Sequence, residues 1–172
     1  MSDAPLASRA AVRPARTSDV RAIRSFIDQY SADGRLLSKA TVTLFEDVPE
    51  FLVAEVDGEV VGCGALHVMW EDLAEVRTLA VDPRLTGQGI GSLLLDALLV
   101  RARDVGVKRV FCLTFQVTFF QAHGFVEIDD TPVDAGVYAQ LLQSYDEGVA
   151  EFLGLERVKP NTLGNHRMLA TL

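Results

Sequence analysis

Hydrophobic residues recur along this chain with two periods, which together predict strands that alternate with helices. Continuous or alternating apolar runs predict strands at residues 12–15, 51–56, 59–69, 74–81, 109–114, 126–130 and 165–172. Helical spacing predicts helices that begin near residues 20, 40, 90 and 117, and one amphipathic helix over residues 134–152. Asp57-Gly58 separates the second and third strands and is typical of a two-residue hairpin turn.

Length and composition place these elements in one domain. The chain has 172 residues, of which 49% are hydrophobic, and this suffices for one sizeable core but not for two comfortable ones. Residues 1–10 are mostly small and polar and are interpreted as a flexible leader. We therefore expect a single α/β (α+β) domain over residues 11–172.

Charge and hydropathy exclude several kinds of partner. The formal net charge of −8 argues against sequence-independent binding of nucleic acid, which depends on clustered Lys and Arg, and disfavours an anionic membrane surface. The N-terminus has no signal-peptide core, and no uninterrupted apolar run is long enough to cross a bilayer. These features predict a cytoplasmic protein that binds neither nucleic acid nor membrane.

The cysteines and histidines suggest no metal site. Cys63 and Cys112 lie in apolar, strand-like runs, which favours small buried side chains over a disulfide framework. The three histidines, at positions 67, 123 and 166, lie in dissimilar contexts without ligand spacing. We expect no bound metal.

The stretch after the strand at residues 74–81 carries the clearest chemical signal. Asp82-Pro83 ends that strand, glycines follow at positions 87, 89 and 91, and an apolar helix then begins. Glycines at a helix start let the backbone approach a ligand closely, and the first N–H groups of the helix attract an anion. The pattern predicts a pyrophosphate site on residues 87–92.

Details of the loop distinguish it from two other glycine-rich loops. A P-loop would continue into Gly-Lys-Ser/Thr, but Gly91-Ser92 has no lysine between its residues. A dinucleotide fingerprint would need an acidic residue about twenty positions later, where residues 109–111 are not acidic. The loop instead resembles [Q/R]-x-x-G-x-[G/A], the acyl-CoA loop of GNAT acetyltransferases, with Thr86, Gly89 and Gly91 at its three positions. Thr86 departs from the family, which usually carries Gln or Arg there.

Two further motifs carry the same resemblance. Glu75 occupies the acidic position of the strand before the loop, and residues 119–125, FFQAHGF, resemble the family's F-Y-x-x-x-G-F. The resemblance implies a central mixed twisted sheet with helices on both faces. Residues 63–81, 109–125 and 156–169 further resemble N-acetylglutamate synthases of the short, stand-alone actinobacterial kind. That group acetylates glutamate or glutamine at the start of arginine biosynthesis.

The family resemblance implies acetyl-CoA as cosubstrate. Its pantetheine arm would lie along the backbone of residues 79–81, and a bulge there would free the Leu79 N–H to polarise the thioester oxygen. The residues implied to bind acetyl-CoA are Leu79, Ala80, Val81, Thr86, Gly87, Gln88, Gly89, Ile90, Gly91, Ser92, Phe119 and Phe120.

The reaction needs a neutral amine and a leaving thiolate. Glu75 is the candidate general base, acting through water, although it could instead be a solvent-facing strand residue or a partner of Arg77 on the same strand face. The family's tyrosine, which usually protonates the thiolate, is replaced by Phe120. Another group or water could supply that proton, or the thiolate could leave unaided. Tyr138 and Tyr145 could substitute for the missing hydroxyl, although we expect both to pack in a core.

An amino-acid acceptor presents a carboxylate, for which arginine is the natural bidentate partner. Arg77 is a candidate because it lies two residues beyond Glu75, whereas Lys39 and Arg167 match basic positions of the synthase group. Thr114 and Gln116 could add neutral hydrogen bonds.

Two other functions stay open at this point. The chain could be a GNAT enzyme for another amine, such as a peptide N-terminus, a polyamine or an aminoglycoside. It could also be a non-catalytic acyl-CoA sensor, as the changes at Thr86 and Phe120 suggest. A homodimer is compatible with the sequence, which does not determine the oligomeric state.

Overall fold

A computed structural model describes residues 4–36, 38–162 and 164–172 of the chain. Its strands are β1 (Ala11–Pro14), β2 (Phe51–Val56), β3 (Glu59–Trp70), β4 (Leu73–Val81), β5 (Arg109–Thr114), β6 (Val126–Glu127) and β7 (His166–Thr171). Its α-helices are α1 (Leu6–Arg9), α2 (Val20–Ser31), α3 (Thr41–Glu46), α4 (Ile90–Val105), α5 (Val117–Gln121), α6 (Ala135–Leu141), α7 (Glu147–Leu153) and α8 (Lys159–Thr162).

The strands form one mixed sheet in the order β1-β2-β3-β4-β5-β7-β6. Strand β5 pairs in parallel with β4 and antiparallel with β7, which confirms the predicted mixed sheet. The predicted hairpin is also present, because Asp57 and Gly58 both adopt positive φ angles, 51° and 85°, between β2 and β3. Two central residues with positive φ match the right-handed twist of the flanking strands.

The chain divides into two compact units, each with its own core. The first comprises Met1–Leu66 and Val76–Arg101, and in its core α2 and α3 contribute side chains together with β2 and β3. The second comprises His67–Glu75 and Ala102–Leu172, and its core includes Phe111 and Phe152, whose rings meet edge to face at 5.0 Å. Apolar burial of this kind supplies the main stabilisation of each unit.

The single helix expected over residues 134–152 was wrong. The structure has α6 and α7 instead, because the Asp146 carboxylate accepts a hydrogen bond from the Val149 N–H at 2.9 Å and begins a new helix. An aspartate satisfies orphan donors best at such an N-terminus. Tyr145, expected to pack in a core, lies just before this start with 99% of its surface exposed.

The structure also changes two smaller expectations, for the strand at residues 126–130 and for the N-terminal segment. The strand expected at residues 126–130 is shorter and ends at Glu127, before Asp129, Asp130 and a proline, residues that are rare in strands. In the expected leader, residues 1–3 lie outside the described part, and Leu6–Arg9 form the short helix α1.

Within the described residues, no helix has the length and apolar character needed to cross a bilayer.

An ion-paired cluster joins β1 to the start of α2. Arg13 donates to Asp19 Oδ2 at 2.8 Å and to Oδ1 at 3.1 Å, and it also donates to Glu55 Oε2 at 2.9 Å. The Arg16 N–H donates to the same Asp19 carboxylate at 2.7 Å. Asp19 is buried, and the hydrogen bonds from Arg13 lower the pKa of its carboxyl despite that burial.

Asp19 should therefore stabilise the protein in a pH-dependent way. Because its folded pKa is depressed below the ordinary value of 3.8, its contribution is present above that value and is lost as pH falls through the folded pKa. We expect Asp19→Asn to lower the free energy of unfolding at pH 7 by about 1–2 kcal/mol, since charged hydrogen bonds are lost. Urea unfolding between pH 7 and pH 3 should show this difference shrinking as the solution becomes more acidic.

A matched control is Asp33→Asn, which breaks an exposed pair with Arg35 and should leave the stability nearly unchanged. A difference between wild type and Asp19→Asn that stays constant down to pH 3 would contradict the ionic role of Asp19.

Candidate functional site

The loop between β4 and α4 is built to present backbone N–H groups. After β4, Asp82 Oδ1 accepts from the Arg84 N–H at 2.9 Å and fixes a single 3₁₀ turn at Pro83–Leu85. Gly87 and Gly89 follow with φ of 77° and 86°, in a conformation that strongly favours glycine over residues with a Cβ. Both glycines are exposed, so this segment presents its main chain to solvent.

Helix α4 adds its N-terminus to the same segment. The Leu93 N–H donates to the Gly89 carbonyl at 3.1 Å, so the N–H groups of residues 90–92 precede the hydrogen-bond ladder of the helix. The helix is 16 residues long, and its dipole places partial positive charge at this end. Backbone N–H groups at such a helix N-terminus can bind an anion, and the pyrophosphate site on residues 87–92 stays a prediction.

Among residues 82–92, Arg84 is the one basic residue. The Arg84 guanidinium is paired with the Asp82 carboxylate, with Nη2 and Oδ2 2.6 Å apart. The Thr86 hydroxyl donates to the Pro83 carbonyl at 3.2 Å and closes the 3₁₀ turn, while the residue itself is exposed. Thr86 thus acts on the shape of the loop rather than on its charge.

The pairing and the backbone conformation of β4 change in the middle of the strand. Its parallel register with β5 covers Leu73–Glu75, the first three of its nine residues. Farther along, Thr78 has a φ of +56°, a value that is a genuine outlier for a β-branched residue. A single left-handed residue in a strand is the signature of a bulge. Leu79 follows, half-buried, and then Ala80, buried.

Side chains of the first unit hold the end of this strand. The Tyr30 hydroxyl, from α2, donates to the Val81 carbonyl at 2.5 Å. The Cys63 thiol, from β3, donates to the Thr78 carbonyl at 3.5 Å. The strand that should carry the pantetheine arm is therefore fixed by neighbours within its own unit.

Two glycines of β3 that the sequence reasoning missed also position this strand. A Cβ on Gly64 would lie 2.8 Å from Leu98 Cδ1 and 3.0 Å from Leu79 Cδ1, and one on Gly62 would lie 3.0 Å from the Ala80 carbonyl oxygen. A Cβ at either position would force the Leu98 and Leu79 side chains or the Ala80 carbonyl to shift, so these glycines let α4 and β4 approach β3 closely. The signal was present in the sequence, because two glycines at alternate positions within a strand indicate close approach of other chain segments.

The second unit holds the other candidate residues around β5. Glu75 is buried and lies opposite Phe111 in the parallel register, while Arg167 lies opposite Leu113 on the far side of β5. Side chains alternate along strands, so Glu75, Phe111 and Arg167 project from one face. The guanidinium carbon of Arg167 lies 5.0 Å from the centre of the Phe111 ring.

The Arg167 side chain forms hydrogen bonds within the fold. Its guanidinium donates to three main-chain carbonyl oxygens, those of Glu151 at 3.1 Å, Phe152 at 2.7 Å and Asp130 at 3.0 Å. Two of these belong to the last turn of α7, where the Glu151 carbonyl also accepts from the Gly154 N–H at 3.1 Å. Burial lowers the pKa of Arg167 from its ordinary value. The structure thus gives Arg167 a role in holding α7 to β7, beside the predicted role in substrate binding.

Thr114 and Gln116 are joined at the end of β5. The Thr114 hydroxyl oxygen accepts from the Gln116 N–H at 2.8 Å, and Thr114 is buried whereas Gln116 is exposed. Thr114 lies opposite His166 in the register, one residue from Arg167. Its side chain therefore projects from the face opposite to that of Arg167, and the structure does not bring these two side chains together.

The two basic candidates of the first unit differ in their environment. Lys39 is paired with Asp47, with Nζ and Oδ2 3.6 Å apart, so its charge is partly neutralised. Arg77 is half-buried on β4, one residue before the outlier Thr78.

Phe119 and Phe120 pack against one another rather than presenting a polar group. Their ring centres are 5.2 Å apart, and Phe120 also meets Phe125 edge to face at 5.1 Å. Phe120 is 6% exposed. The structure thus places an apolar ring at the motif's tyrosine position.

Both cysteines are buried and free, as predicted. Burial raises the pKa of the Cys63 thiol to about 12 and that of the Cys112 thiol also well above its ordinary value, so both stay protonated near neutral pH. In the parts of the chain that the structure describes, no three His, Cys, Asp or Glu side chains form a group that could hold a metal.

Comparison with known proteins gives consistent matches. The sequence pattern of the Acetyltransferase (GNAT) family matches residues 19–127. An amino-acid acetyltransferase of Mycobacterium tuberculosis is 57% identical over 175 residues, which cover 100% of each chain.

Solved structures agree with this match. The crystal structure of Rv2747 from Mycobacterium tuberculosis, in complex with CoA and NLQ, superposes with a TM-score of 0.91 at 58% identity and covers 94% of this chain and 99% of that one. An N-acetylglutamate synthase from Neisseria gonorrhoeae, complexed with coenzyme A and N-acetyl-glutamate, has a TM-score of 0.75 at 24% identity. It covers 95% of this chain and 35% of that one, and at this identity it shows a shared fold.

The contacts of Arg167 predict a structural effect of its replacement. Arg167→Lys should lower the free energy of unfolding by about 2 kcal/mol, because one ammonium cannot reach three carbonyls that a planar guanidinium reaches together. Chemical denaturation measures this change. Arg157→Lys is the control, since its pair with Glu147 is exposed and should contribute less than about 0.5 kcal/mol. Unchanged stability, with a raised acceptor KM, would instead make Arg167 mainly a substrate ligand.

Proposed function

This chain belongs to the GNAT family of acetyltransferases, and on that premise we propose that it transfers the acetyl group of acetyl-CoA to the α-amine of L-glutamate or L-glutamine. That reaction is the first step of arginine biosynthesis. The full-length match to an amino-acid acetyltransferase at 57% identity supports the proposal. The observation that carries it is the exposed loop with two left-handed glycines at the start of a long helix, directly after a bulged strand.

The loop residues fit a pyrophosphate group. Residues 87–92 present main-chain N–H groups ahead of the ladder of α4, and hydrogen bonds from such groups to an anion are charge-assisted. The net charge of −8 gives no general attraction for a polyanion, so binding depends on these local donors. Thr86 supports the loop through its bond to Pro83.

The bulge at Thr78 fits the activation of a thioester. A bulge leaves one residue without its ladder partner, and the Leu79 N–H comes directly after the outlier. A fixed N–H aimed at the thioester oxygen stabilises the negative charge that develops there when an amine attacks. Leu79, Ala80 and Val81 would hold the pantetheine arm through their main chain, as an added strand does.

Glu75 is the proposed general base. It is one of two glutamates with buried side chains in the described residues, and it lies four positions before Leu79 on β4. It would take a proton from the α-ammonium through a water molecule, so that the amine attacks in the neutral form. The attack is direct, within a ternary complex, and no acyl-enzyme is needed.

Arg77 is the proposed partner of the acceptor's α-carboxylate. Arg77 is preferred because it is half-buried on β4, two residues beyond Glu75. Lys39, which is paired with Asp47, and Arg167, which donates to three carbonyls, are the other candidates. Thr114 and Gln116 would contribute neutral hydrogen bonds. Phe120 has no hydroxyl, so coenzyme A leaves as a thiolate or takes its proton from water.

Thiol release against a panel of amines tests the function. We expect coenzyme A release from acetyl-CoA with L-glutamate or L-glutamine and with neither polyamines nor peptides. Initial rates at varied concentrations of both substrates should give intersecting lines, as a ternary complex requires. Release with polyamines alone would overturn the proposal, and binding of acetyl-CoA without turnover on any amine would identify a sensor.

Replacement of Glu75 tests the proposed base. Glu75→Gln should lower kcat about 10²-fold at the lower end of the pH range, where the acceptor is an ammonium ion and needs a base. The loss should become smaller as pH rises toward the pKa of the acceptor amine. The pH–rate profile of kcat measures both effects.

Glu151→Gln is the matched control, because Glu151 is buried to the same extent, at 5% exposure, on α7. Its profile should keep the wild-type shape. A wild-type shape for Glu75→Gln would remove Glu75 from the role of base.

A further inference from the structure

Cys63 lies beside the bulge of β4 and touches it next to Leu79. Its sulfur donates to the Thr78 carbonyl oxygen at 3.5 Å. Cys63 has no exposed surface. The bond fixes the peptide group that the Thr78 carbonyl shares with the Leu79 N–H.

The bulge needs such support. Thr78 and Asp57 are the two non-glycine residues with positive φ in the described chain, and Asp57 lies in a hairpin turn where that conformation is favoured. Thr78 is β-branched and lies within a strand, where the same conformation is strained. Strained residues persist only where their surroundings over-determine them.

The thiol is suited to act as the donor. Burial raises the pKa of Cys63 to about 12, so the sulfur carries its proton at neutral pH and donates it to the Thr78 carbonyl. A thiolate could not donate. The other face of the strand is also fixed, because Gly64 leaves space for the Leu79 side chain and no more.

We propose that Cys63 is a positioning residue for acetyl transfer: its thiol holds the Thr78 carbonyl and thereby aims the Leu79 N–H of the same planar peptide group at the thioester oxygen. The proposal rests on the proposed function, because it concerns the group that polarises the thioester. Cys63 does not touch the reacting atoms. It acts through the backbone of residues 78–80.

A packing role and a positioning role make different predictions for two variants. Cys63→Ala removes the donor, whereas Cys63→Ser keeps a donor and acceptor of similar size. We expect Cys63→Ala to slow single-turnover acetyl transfer about tenfold, less than the 10²-fold or more that loss of an oxyanion donor costs. Cys63→Ser should recover to within about threefold of wild type, and both variants should keep the acetyl-CoA KM within about twofold.

Val53→Ala is the matched control. Val53 lies opposite Cys63 in the register of β2 and β3, is fully buried and belongs to the same core, so its truncation lowers stability in the same place. It should leave the transfer rate within about twofold of wild type.

Amide hydrogen exchange gives a readout that does not depend on turnover. Exchange at the amides of residues 78–80 should be faster in Cys63→Ala than in Val53→Ala after correction for global stability, and Cys63→Ser should restore the wild-type exchange rate. A wild-type transfer rate in Cys63→Ala, or a serine variant as slow as the alanine variant, would overturn the positioning role alone. A wild-type protein that transfers no acetyl group to any amino acid would remove the proposed function, and this proposal with it, whatever the exchange rates.

Discussion

The structure depends on β4, which pairs with β5 along its first third and then departs from the regular strand conformation. In β4, residues 73–75 pair in parallel with β5, and three residues later Thr78 adopts a left-handed conformation. A strand that ends its pairing exposes main-chain groups, and exposed main chain is what an extended ligand can bind. The same break that costs conformational strain thus supplies a place for a ligand. Tyr30 and Cys63 hold the broken part in one conformation.

Much of this could be predicted from the sequence, because the relevant signals are local. The Asp57-Gly58 turn, the long helix at residues 90–105 and the glycines before it each follow from a short stretch of chain, and the structure confirms them. The prediction from the sequence was wrong where one polar side chain is compatible with two local structures. Asp146 fits the polar face of one long helix as well as it fits the cap of a new one, and periodicity cannot distinguish these.

Contacts between distant residues were beyond the reach of the sequence for a different reason. Arg167 matches a basic position of a substrate site, yet its guanidinium reaches carbonyls 15, 16 and 37 positions away, and no local pattern encodes that geometry. The positive φ of Thr78 is likewise set by its surroundings, since threonine has no preference for that conformation. The loop of the candidate site could therefore be predicted from the sequence, whereas the partners of its charged residues could not.

The two cysteines have a practical consequence for anyone who follows this reaction in solution. Both thiols are buried, and burial keeps them protonated, so they react slowly with disulfide and maleimide reagents. Each turnover, by contrast, would release coenzyme A with an exposed thiol. A colorimetric thiol reagent could then be present throughout the assay and report the product alone, without titrating or inactivating the enzyme.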